Sequence, residues 1–351
     1  MADKCKVTVL YDAVEDDEKA KAEAKKEPFP LVYEQVFQAL EKRGHAVKLL
    51  AARKSIKTFV GQIENDNSDV FFNLCESIAG DGKHEYRVAA LLELMDKPFT
   101  GSGSTGMTLA QDKGLAKKLF QFHDLRSPRF CVLDAGHVEW SDDLSFPLIV
   151  KPASEDASIG IDKSSVVHDV KDLLERISYV HETVHGPALV EEFIEGREIY
   201  VGVLGNEKPE ALPILEWDLS GVKDGPQIAS AEAKWEKDSE GYNAPEVFPE
   251  DIPESVGRRM QNAAITAVQA LRLNDYARVD LRLRQHASGA KKDGDWEFFI
   301  IEVNPNPYLE RKSEFIKAAR KHGLSHPELI ERIIDLALQR YGKKPRVTIS
   351  Q

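Results

Sequence analysis

The sequence predicts an α/β unit followed by two α+β units, on three observations. Residues 1–104 alternate short β-branched runs with amphipathic stretches, a βαβ rhythm that builds a small parallel sheet with helices on both faces. A Gly/Ser cluster, Thr100-Gly-Ser-Gly-Ser-Thr105, interrupts that rhythm, and from Leu189 onward the pattern becomes hairpin-rich. At 351 residues the chain is too long for one compact core, while 42% hydrophobic and 30% charged residues are ordinary for a globular protein.

Taken in order, Lys6–Tyr11 reads as a strand, Leu31–Arg43 as an amphipathic helix stopped at Gly44, and His45–Leu50 as a second strand. Ser55–Glu64 reads as helical and Asp69–Leu74 as a short buried strand. The acidic and lysine-rich stretch Glu15–Glu27 between the first strand and helix is expected to be an exposed loop or a frayed helix. After the Gly/Ser cluster one helix is predicted from Met107 to Phe122, capped by Ser104 or Thr105. Strands Arg129–Leu133 and Leu148–Lys151 follow, then a helix over Val170–Val184. Ala188–Ile194, a turn at Glu195–Arg197 and Glu198–Leu204 read as a hairpin. A helix over Pro253–Leu271 precedes a second hairpin, Tyr276–Arg284 with Trp296–Val303, and helix Pro327–Tyr341 comes last. These readings divide the chain at 1–104, 105–188 and 189–345.

Composition excludes several classes of function. Net charge is −12, from 47 basic and 59 acidic residues, the opposite of the balance a nucleic-acid binder carries. Basic runs such as Lys113–Lys118 and Arg278–Arg284 suit a small anionic ligand better than a polymer. No apolar run approaches the ~20 residues of a membrane helix. Three widely spaced cysteines (Cys5, Cys75, Cys131) and an N-terminus that enters a strand without an apolar leader point to the cytoplasm.

The chemistry concentrates in a few places. In Tyr276–Arg284, residues Arg278, Asp280, Arg282 and Arg284 share one strand face, and Ala277, Val279, Leu281 and Leu283 the other. Glu302 and Asn304 share a face at i, i+2 on the partner strand. Asp280, Glu302 and Asn304 would then present hard oxygen ligands suited to Mg²⁺, or else form a polar, solvent-facing hairpin side. Lys151 ends a buried strand and leads into a small-residue loop returning through Ser158 and Gly160, a place for phosphate or an ordinary surface loop. Lys113, Glu191, Glu192, Glu198 and Lys234 are ambiguous one at a time.

Order and spacing together are not. Asp112-Lys113, Lys151-Pro152 with Ser158-x-Gly160, Glu191-Glu-Phe-Ile-x-Gly-Arg-Glu198, Arg278-x-Asp280 and Glu302-x-Asn304 form a colinear set. It resembles the ATP-grasp superfamily, in the branch of D-alanine–D-alanine ligase, over nearly the whole chain. The resemblance implies an ATP-grasp fold: an N-terminal Rossmann-like (pre-ATP-grasp) domain and two α+β lobes clasping ATP. It implies that Lys113 and Lys151 contact ATP phosphates under the Ser154–Gly160 loop, with Ser158 in it and Lys234 as the lid lysine. Glu191 with Glu192–Ile194 would hold adenine, and Glu198 the ribose. Asp280, Glu302 and Asn304 would bind two Mg²⁺ ions, or Mn²⁺ in their place. Arg278 would stabilise an oxyanion, and Ser313 falls where the family reads an acceptor carboxylate. The implied reaction joins a small-molecule carboxylate to an amine, an amino acid among them, through an acyl phosphate; a homodimer is the family's expected assembly.

The sequence departs from the family where substrate is read. The Gly-Gly-x-x-x-Glu signature has no match after Tyr11; Ala157, Trp235 and Tyr308 replace a serine, a tyrosine and a glycine. Glu76, Asp81 and Glu85 are candidates for the substrate-facing edge. Competing readings are D-alanine–D-alanine ligase proper, a non-catalytic ATP-binding protein, and a kinase-like enzyme that stops at phosphoryl transfer.

Overall fold

The computed structural model describes residues 4–13, 31–52, 55–78, 81–135, 143–155, 158–223, 225–285 and 295–342. The stretch Glu15–Glu27, Asp156 and Ala157 lie outside them. Strand β1 (Lys6–Asp12), helix α1 (Val32–Arg43), β2 (Ala46–Ala52), α2 (Ile56–Glu64), β3 (Val70–Asn73) and α3 (Glu85–Leu94) form the first unit. The strands pair in parallel in the order β2-β1-β3. Gly44 ends α1 in the left-handed conformation, its N–H on the carbonyls of Glu41 and Leu40, as the sequence predicts. One sheet face packs Val7 and Val9 against Val32, Val36 and Leu40; the other packs Leu10 and Phe71 against Phe59, Ile63, Val88 and Leu92.

The single helix expected over Met107–Phe122 is two. Helix α4 (Ser104–Gln111) stops where Asp112 leaves helical geometry, and α5 (Lys113–Phe122) restarts with the Asp112 carboxylate accepting from Leu115 N–H. The cap of α4 is also different from the one expected. Gly103 occupies the capping position, and Ser104 instead gives its N–H and hydroxyl to Glu93 on α3. Strands β4 (Phe130–Leu133), β5 (Leu148–Pro152), β6 (Val166–Val167) and β7 (Ala188–Glu192) make an antiparallel sheet in the order β4-β7-β5-β6. Helix α6 (Val170–Tyr179), prolonged by a π-helical turn over Val180–Val184, covers one face through Leu173 and Val180.

The third sheet runs β11-β10-β8-β12-β13, with β9 beside β8. Its strands are β8 (Arg197–Leu204), β9 (Glu210–Ala211), β10 (Leu215–Trp217), β11 (Glu246–Val247), β12 (Tyr276–Gln285) and β13 (Trp296–Pro305). Helix α7 (Ala231–Trp235) lies in the β10–β11 connection. Helix α8 (Glu254–Ala270) packs Val256, Met260 and Ala264 on Ile199, Val201, Val279 and Leu281, and the other face of β8 and β12 carries Glu198, Asp280 and Arg282. Helices α9 (Glu314–Lys321) and α10 (His326–Arg340) follow. Helix α10 returns to the first unit, where Leu329, Ile330, Ile333 and Ile334 join the core of β1 and α1. Among the described residues no helix is long and apolar enough to cross a membrane.

One expected hairpin does not exist. Strand β7 pairs with β4 and β5, whereas β8 pairs with β10 and β12 in another sheet. The Glu195–Arg197 segment is a crossing between sheets, not a turn. Gly196 permits it: a Cβ there would sit 2.4 Å from the Leu283 carbonyl oxygen.

Candidate active site

The cleft lies between the polar faces of the second and third sheets, and strand alternation supplies both. On β5, Leu148 and Val150 face α6 while Ile149 and Lys151 face the cleft; on β7, Val190 faces α6 and Glu191 the cleft. Its empty volume is about 690 Å³, part of it open to solvent. Lys113, Lys151, Ser158, Glu191, Glu192, Ile194, Glu198, Lys234, Asp280 and Glu302 all line it, so ten residues named from the sequence meet here. Arg278, Asn304 and Ser313 do not line it. Arg278 and Asn304 bond to Asp280 from two residues along the strands, and Ser313 gives its hydroxyl to the Tyr308 carbonyl, 2.7 Å away.

The carboxylate end is built by strand register. Asp280 and Glu302 stand directly opposite each other on β12 and β13, as do Arg278 and Asn304. Arg278 grips Asp280 with two bonds (Nε 2.7 Å, Nη2 2.9 Å), lies over the Tyr200 ring and reaches Glu314 at 3.7 Å. Asn304 Nδ2 donates to Asp280 at 3.0 Å. Glu302 approaches Lys113 Nζ at 3.5 Å. Like charges directly across strands repel, and the two carboxyls respond in opposite directions. Burial and the facing Glu302 push Asp280 up to about 6 despite Arg278. Burial also acts to raise Glu302, but Lys113, Lys234, Lys151 and Arg278 outweigh it and hold that carboxyl far below its usual range.

One buried and one half-buried carboxylate and an amide, on neighbouring positions of β12 and β13, fit a hard divalent cation. Among the described residues no three His, Cys, Asp or Glu side chains come together as an all-protein cage would need. Magnesium is typically held by one or two carboxylates and completes its shell with phosphate and water, so the donor set suits it.

At the other end, Glu191 is buried between Lys117, 2.8 Å away, and Lys151. Burial opposes its charge, but the two ammonium groups prevail and hold the carboxyl below its ordinary value. Glu198 pairs with Arg282 Nε at 2.8 Å, both buried, and Arg282 also donates to the carbonyls of Gly196 and Gln227. Apolar side chains, Ile149, Ile161, Phe193, Ile228 and Ile301, complete the walls.

The loop after β5 crosses between lobes. Ser158, at φ +60°, donates to the Ala229 carbonyl at 2.6 Å, and Ala231 N–H bonds to the Ile161 carbonyl. Lys113 Nζ donates to the Glu155 carbonyl at 2.7 Å, and the Glu155 carboxylate pairs with Lys83 at 2.9 Å. Through that last contact the loop carrying Asp81 touches the cleft rim. Glu76, Asp81 and Glu85 themselves do not line the cleft; Asp81 accepts from Lys83 N–H, and Glu76 N–H bonds to Asp12.

Sequence reasoning missed Arg282, which lines the cleft, and Lys117, which is buried behind it against Glu191. Lys117 lies one helical turn after Lys113, on the same face. Arg282 lies two residues after Asp280, on the same strand face. Both spacings were visible.

The chain is also similar to known proteins. A family model described as "D-ala D-ala ligase C-terminus" matches residues 109–335, more than half of the chain. The chain is 33% identical over 322 residues to an uncharacterized protein of Sinorhizobium fredii, covering 90% of each. It is 31% identical over 306 residues to a D-alanine–D-alanine ligase of Desulfotalea psychrophila, covering 85% of this chain and 88% of that one. The solved D-alanine–D-alanine ligase from Bacillus anthracis complexed with ATP superposes with a TM-score of 0.71 at 20% identity, covering 96% of this chain and 99% of that one. At that identity the likeness shows a shared fold.

Proposed function

The chain belongs to the D-alanine–D-alanine ligase family and is an ATP-dependent ligase that forms C–N bonds; we propose that it works through an acyl phosphate, with an amino acid as one substrate, in the cleft described above. The observation that carries this reading is the meeting of three lysines, Lys113, Lys151 and Lys234, with the Asp280–Glu302 pair in one cavity. Ammonium groups to neutralise phosphate, beside carboxylates to carry a metal, are what a polyanion with bound metal requires.

Each residue's proposed role follows from its place. Lys113 and Lys151 neutralise phosphate oxygens, and Lys234 closes on them from α7. The Glu191–Ile194 edge, with Ile149 and Ile301, receives a flat apolar base, and Glu198 accepts from ribose hydroxyls. Asp280, Glu302 and Asn304 would hold Mg²⁺, one ion or two, with Mn²⁺ as a substitute. When bound, the metal supplies charge neutralisation at the transferring phosphoryl group. Arg278, fixed by Asp280, Glu314 and Tyr200, stabilises the oxyanion as the amine attacks. Ser313, at the start of α9, is the candidate contact to an acceptor carboxylate. Positioning and charge stabilisation suffice for this chemistry, so no side-chain nucleophile is needed.

Because β7 belongs with β4 and β5, the border between the two nucleotide-clasping lobes is proposed at Glu195–Gly196 rather than at Leu189. The test is ADP release from Mg-ATP across D- and L-amino acids, singly and in pairs, with Glu302→Gln as control. Release dependent on amino acids and absent from the variant supports the reading. Equal release by the variant, or release without any acceptor, contradicts it.

A further inference from the structure

Lys117 is the most deeply buried of the three buried lysines among the described residues, 1% exposed against 4% for Lys113 and Lys151. The roles proposed above do not use it. Its ammonium lies 2.8 Å from Glu191 and donates to the Ile301 carbonyl at 3.1 Å. That carbonyl belongs to an irregular point of the sheet. Register steps from the Asp280–Glu302 pair to the Leu281–Ile300 pair, so Ile301 has no residue opposite it. Lys117 therefore ties the base of the cleft to the strand one residue before Glu302.

Charge at this point is unbalanced. One carboxylate, Glu191, faces two ammonium groups, Lys117 and Lys151. Only one is needed to compensate it. Lys117 is outside the lining, anchored on the carbonyl of β13 and enclosed on every side, whereas Lys151 lines the cavity. The surplus cation is thus the one that can reach a ligand. Were Lys117 absent, Lys151 would be Glu191's sole counter-charge, and moving it to a phosphate would strand a buried carboxylate, which is strongly unfavourable.

We propose that Lys117 is a positioning residue that carries the counter-charge of Glu191 and so leaves Lys151 available to a nucleotide phosphate. This rests on the phosphate role given to Lys151 above. It acts through Glu191 and Lys151 and does not touch the nucleotide.

The experiment is a cycle of Lys117→Met with Glu191→Gln, read as ATP affinity by calorimetry, together with Lys151→Ala. Lys117→Met should weaken ATP binding at least about tenfold in the parent, with kcat at saturating ATP within about threefold, the pattern of lost uniform binding. In the Glu191→Gln background, where no carboxylate retains Lys151, the same substitution should shift affinity less than about threefold. Equal losses in the two backgrounds would overturn the proposal. If Lys117→Met does not fold, the Glu191→Gln pair decides alone: a small shift supports the proposal and a tenfold loss overturns it. Unchanged affinity in Lys151→Ala would instead reject the phosphate role of Lys151. A loss there, with Lys117→Met unaffected, would reject only the role of Lys117.

Discussion

Replacing Asp280 by asparagine should stabilise the ligand-free protein while ending catalysis. Asp280 is 3% exposed, stands opposite Glu302 and receives both bonds of Arg278. Burial and Glu302 together outweigh Arg278, so the carboxyl rises from an ordinary 3.8 to about 6. At neutral pH that displacement disfavours the folded state, by a few kcal/mol at most. Because the folded value lies above the unfolded one, the cost is fully present above pH ~6 and fades as pH falls toward ~4. Asparagine keeps the volume and an acceptor for Arg278, and Glu314 remains 3.7 Å from the guanidinium as counter-charge. The variant should therefore melt a few degrees higher at pH 7.5 by calorimetry, with the difference vanishing near pH 4. Mg-ATP should raise the parent's melting temperature and the variant's much less. A lower melting point for ligand-free Asp280→Asn at pH 7.5 would show that the Arg278–Asp280 pair outweighs burial and repulsion, and would refute the reasoning.

Other perturbations probe the remaining parts. Glu302→Gln should abolish Mg-ATP turnover with an unchanged circular dichroism spectrum; a variant at parental rate would remove Glu302 from the metal site. Lys151→Ala should weaken ATP binding by about 10- to 100-fold, the value of a charged hydrogen bond, and calorimetry showing parental affinity would contradict that. Arg282→Met strips buried Glu198 of its 2.8 Å partner and should cost about 3–5 kcal/mol in denaturant unfolding. Gly101→Ala puts a Cβ 2.3 Å from Asn306 Oδ1 at φ +89° and disturbs the Asn306 bond to Ser102 N–H; about 2 kcal/mol or more of lost stability is expected, and a neutral result would mean that the loop shifts freely.

What could be read in the sequence was local. The alternation in Tyr276–Arg284 separated Arg278, Asp280 and Arg282 from Ala277, Val279 and Leu281, and the structure places those two sets against the cleft side and α8 respectively. Period-2 patterning fixes such a face once the strand is identified. Sheet membership is different, because it depends on partners far along the chain. Ala188–Ile194 and Glu198–Leu204 read as adjacent arms of one hairpin, yet each strand finds longer-range partners in its own sheet. Helix α10 shows the same limit. The helix itself is legible over Pro327–Tyr341, but nothing local indicates that it covers the sheet of the first unit. Lys117 carries no local signal of its own, since an exposed helical lysine is the ordinary case, and only burial against Glu191 distinguishes it. The break at Asp112 was legible in principle, since aspartate before a lysine-rich turn is a capping signal.

The central claim, that this cleft activates a carboxylate as an acyl phosphate, is tested most directly by isotope transfer. The carboxylate substrate identified by the ADP-release panel would be labelled with oxygen-18 and turned over with Mg-ATP and its amine partner. The account predicts one labelled oxygen per turnover in the released inorganic phosphate. Unlabelled phosphate, with amide still formed, would contradict it.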